Sequence, residues 1–331
     1  MSHEHAVRPF VTTAALVCAV VAGALIAVQA RINGELAVEV GGGVIAAFIS
    51  FGIGTVLCAL ALLGRRDARA GLGRIRSAVR DRSMSPWFLF GGVAGALMVT
   101  SQGLVAPVLG VALFTVAIVG GQAVGSLLID RRGIGAMVPK PLTLPRVLGA
   151  VLAVAAVIWA VSDRVRGDAP WWLLLLPLVA GTGMSWQQAV NGQLRQRAGS
   201  VLAATFVSFL AGTIVLAVAA GIDVAVMGAP PALPSDPVLY LGGVIGIAFI
   251  AGGAAIVPLT GVLLFGLATI AGQLTAAVLL DALLPVADAG LDLATVGGAA
   301  LAIAAVGVAS IRRPGHLAPE RVTDSSGASS P

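Results

Sequence analysis

The sequence predicts an all-α integral membrane protein of ten transmembrane helices, arranged as two inverted five-helix repeats. Composition, apolar run length and an internal duplication lead to that expectation. Charged residues make up 11% of the 331 and hydrophobic residues 58%, whereas soluble domains carry about 25% charge. Most of the surface must therefore face something other than water. The tetrad Gln29, Asn33, Gly34 and Leu36 returns as Gln187, Asn191, Gly192 and Leu194, an offset of 158 that also pairs Phe48, Ser50, Phe51, Gly54 and Thr55 with Phe206, Ser208, Phe209, Gly212 and Thr213. A second block at offset 151 pairs Gly91, Gly92, Gly95, Pro107, Gly110, Gly121, Gln122 and Asp130 with Gly242, Gly243, Gly246, Pro258, Gly261, Gly272, Gln273 and Asp281. Apolar identities recur by chance in so biased a composition, so the repeated Gln, Asn, Ser and Asp carry the argument.

The apolar stretches of the first half are 10–30, 41–64, 86–105, 108–129 and 144–161; those of the second are 170–190, 199–221, 237–256, 259–280 and 291–311. A spanning helix needs about 17 to 25 such residues, and lipid leaves irregular backbone unsatisfied. The chain thus divides into a tail at 1–9, a first repeat at 10–162, a linker at 163–169, a second repeat at 170–311 and a disordered tail at 312–331. The repeat argues against reading the first stretch as a cleaved signal, because its counterpart at 170–190 has the same polar ending in mid-chain.

Placement of the basic residues gives the orientation. With the amino terminus in the cytoplasm, seventeen of the twenty fall in cytoplasmic segments, and only Arg31, Arg164 and Arg166 lie outside. Both termini are then cytoplasmic. The net charge of +5 is read as topology and not as a nucleic-acid footprint. Five helices per repeat, an odd number, force the halves into opposite orientations, the construction from which many transporters derive alternating access. Seven arginines in the loop 65–85 suggest a short amphipathic helix lying on anionic membrane lipid as an orientation anchor.

Gln29 and Asn33 are spaced i, i+4, as are Gln187 and Asn191, so each pair shares a face if its helix continues. The alternative is a helix ended by the Asn-Gly turn. Gln122 and Gln273 sit inside apolar runs behind a glycine and must face protein or water. These six amides are the candidate substrate-cavity residues. Gly54, Gly121, Gly212 and Gly272 are read as close-packing positions between helices. Ser50, Thr55, Ser208 and Thr213 are read as packing residues whose hydroxyls return to their own backbone, and Pro107 and Pro258 as marks of tight connections between helices. Arg31 and Glu35, also at i, i+4, are candidates for coupling or gating, with an interfacial ion pair as the competing reading. Asp130 and Asp281 are candidates for gating or for capping a neighbouring helix.

No enzyme is expected. The histidines His3, His5 and His316 lie in the tails, no glycine loop precedes Lys-Ser or Lys-Thr, and no carboxylate pair lies within a span. No cofactor or metal is implied, and Cys18 and Cys58 read as small apolar fillers. Pumping would have to draw on a gradient.

These motifs resemble the YdcZ-like group of the drug/metabolite transporter (EamA-like) superfamily. The resemblance rests on Gln29, Asn33 and Leu36, on Phe48-Ile49-Ser50-Phe51 with Gly54-Thr55, and on the block from Gly91-Gly92 to Gly121-Gln122, each with its second-half copy, and covers about residues 10–311. It implies two inverted five-helix units and an exporter of the bacterial cytoplasmic (inner) membrane. No acidic residue stands in the middle of the first helix, where the small multidrug branch of that superfamily carries its coupling carboxylate. The expected function is a secondary transporter exporting small polar or amphipathic metabolites by alternating access. The competing readings are a non-transporting scaffold or sensor, a channel and a lipid scramblase. Two halves already supply a pathway, so a monomer suffices.

Overall fold

The computed structural model describes residues 2–133, 143–165, 170–285 and 292–309, with side chains at 2–12, 130, 161, 163–165, 251–267 and 309 outside the described set. Among the described residues every regular element is helical: α1 (Ser2–Glu39), α2 (Gly43–Gly64), α3 (Arg66–Arg80), α4 (Gly91–Leu109), α5 (Val111–Arg132), α6 (Leu144–Val165), α7 (Leu175–Ala198), α8 (Val201–Met227), α9 (Gly242–Leu283) and α10 (Leu293–Ala309). Short 3₁₀ turns at Pro86–Phe90, Trp171–Leu174 and Pro237–Tyr240 lead into α4, α7 and α9. The tail 312–331 and most of the linker 163–169 lie outside the described residues.

Five described helical segments are long and apolar enough to cross a membrane: Thr13–Glu39, Gly43–Gly64, Pro86–Leu109, Val111–Ile129 and Val201–Met227. Four shorter apolar segments, Leu144–Ala160, Pro237–Ile250, Ala268–Leu283 and Leu293–Val308, fall within or overlap other expected spans. α7 is in neither group. Gln187, Gln188, Asn191, Gln193, Arg195 and Arg197 dilute its apolar character.

Burial follows helix position. α5 runs through the middle, where Val111, Leu113, Phe114, Val116 and Ile118 are fully enclosed beside Leu274 and Leu174. Val56, Leu60 and Leu63 of α2 and Ile214, Val218 and Ile222 of α8 are exposed on the outside. An apolar helix with an apolar outer face suits a lipid surroundings. α3 differs: Ala68, Gly71, Ile75 and Ala78 are buried at helical spacing while its arginines are exposed.

Packing is reciprocal with respect to the sequence repeat. α2 lies on α8 and α6 on α10, while the contact of α1 with α9 is matched by that of α7 with α5. A Cβ built on Gly54 would strike the Phe209 ring, and one on Gly212 would strike the Phe51 ring. Gly121 abuts the Leu178 carbonyl oxygen and Gly272 that of Val20. These four glycines thus stand at helix crossings where a side chain has no room.

One open reading is decided and three expectations change. The helices α1 and α7 run straight through Asn33-Gly34 and Asn191-Gly192, so the Asn-Gly pairs do not end them. α1 also begins at Ser2, within the stretch expected to be a tail. Pro107 lies inside α4, and the chain breaks three residues later at Gly110, where φ is +86°. In the second half the backbone of α9 continues unbroken through Pro258, where separate spans had been expected. Proline's fixed φ is helical and its ring forfeits one backbone bond, so proline alone need not break a helix. At Gly110 the positive φ breaks it.

Candidate functional site

A cavity of about 110 Å³ opens where α1, α2, α4, α7, α8 and α9 meet. Its walls are largely apolar: Ile26 from α1, Phe51 from α2, Met98 and Val99 from α4, Met184 from α7, Phe209 from α8, and Phe249 with Ile250 from α9. Its polar lining is Gln29, Ser50, Gln187, Gln188, Asn191 and Ser208. No charged side chain is among the lining residues. Phe51 and Phe209, repeat counterparts, meet with ring centroids 5.1 Å apart and tilted by 47°, a favourable edge-biased arrangement. Just beyond them Thr55 and Thr213, also counterparts, hydrogen-bond to each other at 2.7 Å.

Helical phase explains which amides reach this space. The uninterrupted α1 puts Gln29 and Asn33 on one face. Gln29 Nε2 donates to the Gly242 carbonyl at 2.7 Å. Asn33, fully buried, accepts from Ser50 Oγ at 2.6 Å and donates from Nδ2 to Gln102 Oε1 at 2.6 Å. In the other half Gln187 Nε2 and Asn191 Nδ2 both donate to Ser208 Oγ, at 3.2 and 3.3 Å. Close glycine contacts hold the amides in place. A Cβ on Gly95 would lie 2.7 Å from Gln187 Nε2, and one on its counterpart Gly246 would lie 3.2 Å from Gln29 Nε2.

The two halves differ in their bonds: Gln29 reaches a backbone carbonyl where Gln187 reaches Ser208, and Ser50 donates to Asn33 where Ser208 accepts from Asn191. Asn33 finds its third group in Gln102, but the position 151 residues later is Gly253, which has no amide to offer. Asn191 Nδ2 turns to Ser208 Oγ instead, which accepts where Ser50 donates, so Asn191 Oδ1 is buried with no hydrogen-bond partner among the described residues, as is Gln102 Nε2. An open buried carbonyl oxygen is costly unless something donates to it.

The sequence candidates separate on this geometry. Gln29, Gln187 and Asn191 line the cavity, and Asn33 stands directly behind Ser50. Gln122 and Gln273 are not lining residues; the Gln122 backbone carbonyl accepts from Ser185 Oγ, and Gln273 is buried. Arg31 pairs with Glu35 at 2.6 Å near the end of α1, and its Nη1 donates to the Leu284 carbonyl at 3.1 Å. The pair thus ties α1 to the C-terminus of α9, away from the cavity. Asp281 accepts from the backbone N–H of Val111 at 3.0 Å and of Ala112 at 2.7 Å, and so sits on the N-terminus of α5. The Asp130 side chain lies outside the described residues.

Ser50 and Ser208 depart from their expected role, since their hydroxyls engage Asn33, Gln187 and Asn191 across helices. Gln102 and Gln188 escaped the sequence reading because neither has an amide counterpart in the other repeat. The cost of an amide within an apolar run was the signal that could have found them.

A solved crystal structure of another protein aligns over 90% of this chain and 96% of its own, with a TM-score of 0.51 and 19% identity. At that identity the likeness concerns the fold alone. No curated protein matches. The family model described as "Putative inner membrane exporter, YdcZ" matches residues 14–159 and 172–308, one match in each sequence repeat. The chain is a multi-pass membrane protein, and it belongs to the YdcZ family of drug/metabolite transporters.

Proposed function

We propose that this chain is a secondary transporter that exports small, uncharged amphipathic molecules across the bacterial inner membrane. In this reading the stretches of α9 before and after Pro258 count as two spans, which gives ten spans in two inverted five-helix halves with both termini in the cytoplasm, and the halves rock about the cavity in alternating access. One observation carries this reading: the cavity is lined by counterpart residues from both repeats, Gln29 with Gln187, Ser50 with Ser208 and Phe51 with Phe209. A site at the interface of repeats is where exchange of their conformations would transfer access from one side to the other.

The lining also sets the substrate class. Facing phenylalanine and methionine side chains favour an apolar body, and the absence of charged lining residues leaves a fixed ion without a counter-charge. The unpartnered Asn191 Oδ1 is an acceptor on a cavity-lining residue, which supports a substrate with a hydroxyl or amide donor. Asn191→Ala is expected to reduce transport about tenfold below saturation, the worth of one buried hydrogen bond, while the folded yield stays at the wild-type level. Asn33→Ala, which removes a residue with two bonds inside the bundle, is expected instead to lower thermal stability. Transport assays in proteoliposomes alongside melting curves separate the two.

Single cysteines at 29 and 187 test the mechanism by labelling from either side. Reciprocal exposure, shifted by substrate, is the expected result. Simultaneous exposure would make the protein a channel, and exposure to neither side a scaffold or sensor. Vesicles that flip a labelled phospholipid at the same rate with the protein as they export metabolite would make it a scramblase.

A further inference from the structure

The arginines around α3 divide into two groups. Arg69 donates to the Leu62 and Leu63 carbonyls, closing the end of α2. Arg74 donates through Nε to the Ala198 carbonyl at 2.9 Å, closing α7, and Arg197 Nη2 reaches the Ser83 carbonyl at 3.1 Å. Arg65 pairs with Asp67 at 3.0 Å, and that guanidinium holds the Asp67 carboxyl below its ordinary range. Each of these has a structural task.

Of the arginines left without one, which include Arg66 and Arg82, only Arg76 and Arg80 line the groove beside α3. They are exposed, stand at i, i+4 on one face of α3, and have no ion-pair partner among the described residues. Both border an open groove of about 580 Å³ whose other walls are Leu72, Ile75 and Val79 of α3, Leu89 of the 3₁₀ turn and Val207 of α8. Such a volume is within the range of small-molecule sites. The groove lies where spanning helices end, beside the end of α2 at Gly64, the start of α8 at Val201 and the entry to α4. Trp87, 73% exposed and paired with Phe90 at 6.1 Å between ring centroids, stands in the turn that forms its wall. Indole rings favour the level of lipid headgroups.

We propose that this groove is a binding site for one anionic phospholipid, with an acyl chain against Leu72, Val79, Leu89 and Val207 and the phosphate between Arg76 and Arg80. Charge complementarity selects this occupant. Two unpaired guanidiniums suit a phosphate that has no ammonium of its own nearby. The apolar walls suit the chain, which a free phosphate would leave uncovered.

The test uses the full chain in mild detergent, titrated with phosphatidylglycerol and with phosphatidylcholine, with bound lipid counted by native mass spectrometry. One phosphatidylglycerol is expected to bind in preference to phosphatidylcholine. R76Q/R80Q should weaken that binding about twenty-five-fold, from roughly fivefold for each arginine beside an anionic lipid. R66Q/R82Q, with the same loss of charge away from the groove, should retain it, and Val207→Trp should weaken both lipids by filling the chain's seat. Wild-type phosphatidylglycerol affinity in R76Q/R80Q overturns the proposal, as does an equal loss in R66Q/R82Q. The water-soluble headgroup glycerophosphoglycerol is expected to compete poorly; competition equal to that of the whole lipid would remove the chain from the groove even if Val207→Trp does not fold.

Discussion

Replacing Asp281 by alanine is expected to destabilise the protein by about 4 kcal/mol, with little residual monodisperse material at temperatures where the wild type persists. Asp281, at 4% exposure, is the N-cap of a helix 170 residues away in the chain. α5 begins at Val111, directly after Gly110, so no side chain at the preceding position can receive its first N–H groups. The carboxylate does so from α9, and a negative charge there also meets the positive end of the helix dipole. Removing it leaves the Val111 and Ala112 donors buried and unanswered. Asp281→Asn keeps an acceptor oxygen but turns an amide toward two donors, and a loss of about half that size is expected. Gly110→Ala should be as harmful as Asp281→Ala, since its φ is +86° and a Cβ would lie 2.6 Å from Asp281 Oδ2. Thermal melts of the purified variants decide this: wild-type melting in Asp281→Ala would show that water serves these groups equally well.

Much of this arrangement was legible in the sequence, for a physical reason. In a background of Ala, Gly, Val and Leu, an amide must be satisfied by protein or water, so repeated Gln29, Gln187 and Asn191 stood out and are found in the cavity wall. The alternating buried and arginine positions of α3 were readable in the same way. Rotation of the spanning helices was not. Within the membrane α2 and α5 carry only scattered polar side chains, Ser50 and Thr55 on one and Thr115, Gln122 and Ser126 on the other, so no continuous polar stripe marks which face turns inward. Gln102 had no repeat counterpart to single it out, and its bond to Asn33 depends on how α1 and α4 cross. The N–H groups freed after the break at Gly110 are answered by a carboxylate from α9, a partner that no local pattern around Pro107 can reveal.

Gly92→Ala and Gly243→Ala, each a single methyl, are expected to cost several kcal/mol and to abolish most folded protein. A Cβ on Gly92 would fall on the Ser208 carbonyl oxygen and lie 2.9 Å from the Gly212 nitrogen. A Cβ on Gly243 would fall on the Ser50 carbonyl oxygen and lie 3.0 Å from the Gly54 nitrogen. The obstacles are backbone in both halves, and backbone can yield only if whole helices separate. Moving α4 from α8, or α9 from α2, would also part Phe51 from Phe209 and draw Ser50 and Ser208 away from their amides, so the cavity would open together with the fold. Lipid does not reward helix contact by excluding water, which leaves close packing itself as the main attraction between these helices. Gly52→Ala and Gly221→Ala provide the contrast. No atom stands within 4 Å of either Cβ, and alanine is the better helix former by roughly 0.5–1 kcal/mol, so both are expected to melt at or slightly above the wild-type temperature. If all four alanines behave alike in folded yield and melting, the crossing points do not hold the two repeats together, and the reciprocal contacts would be incidental to stability.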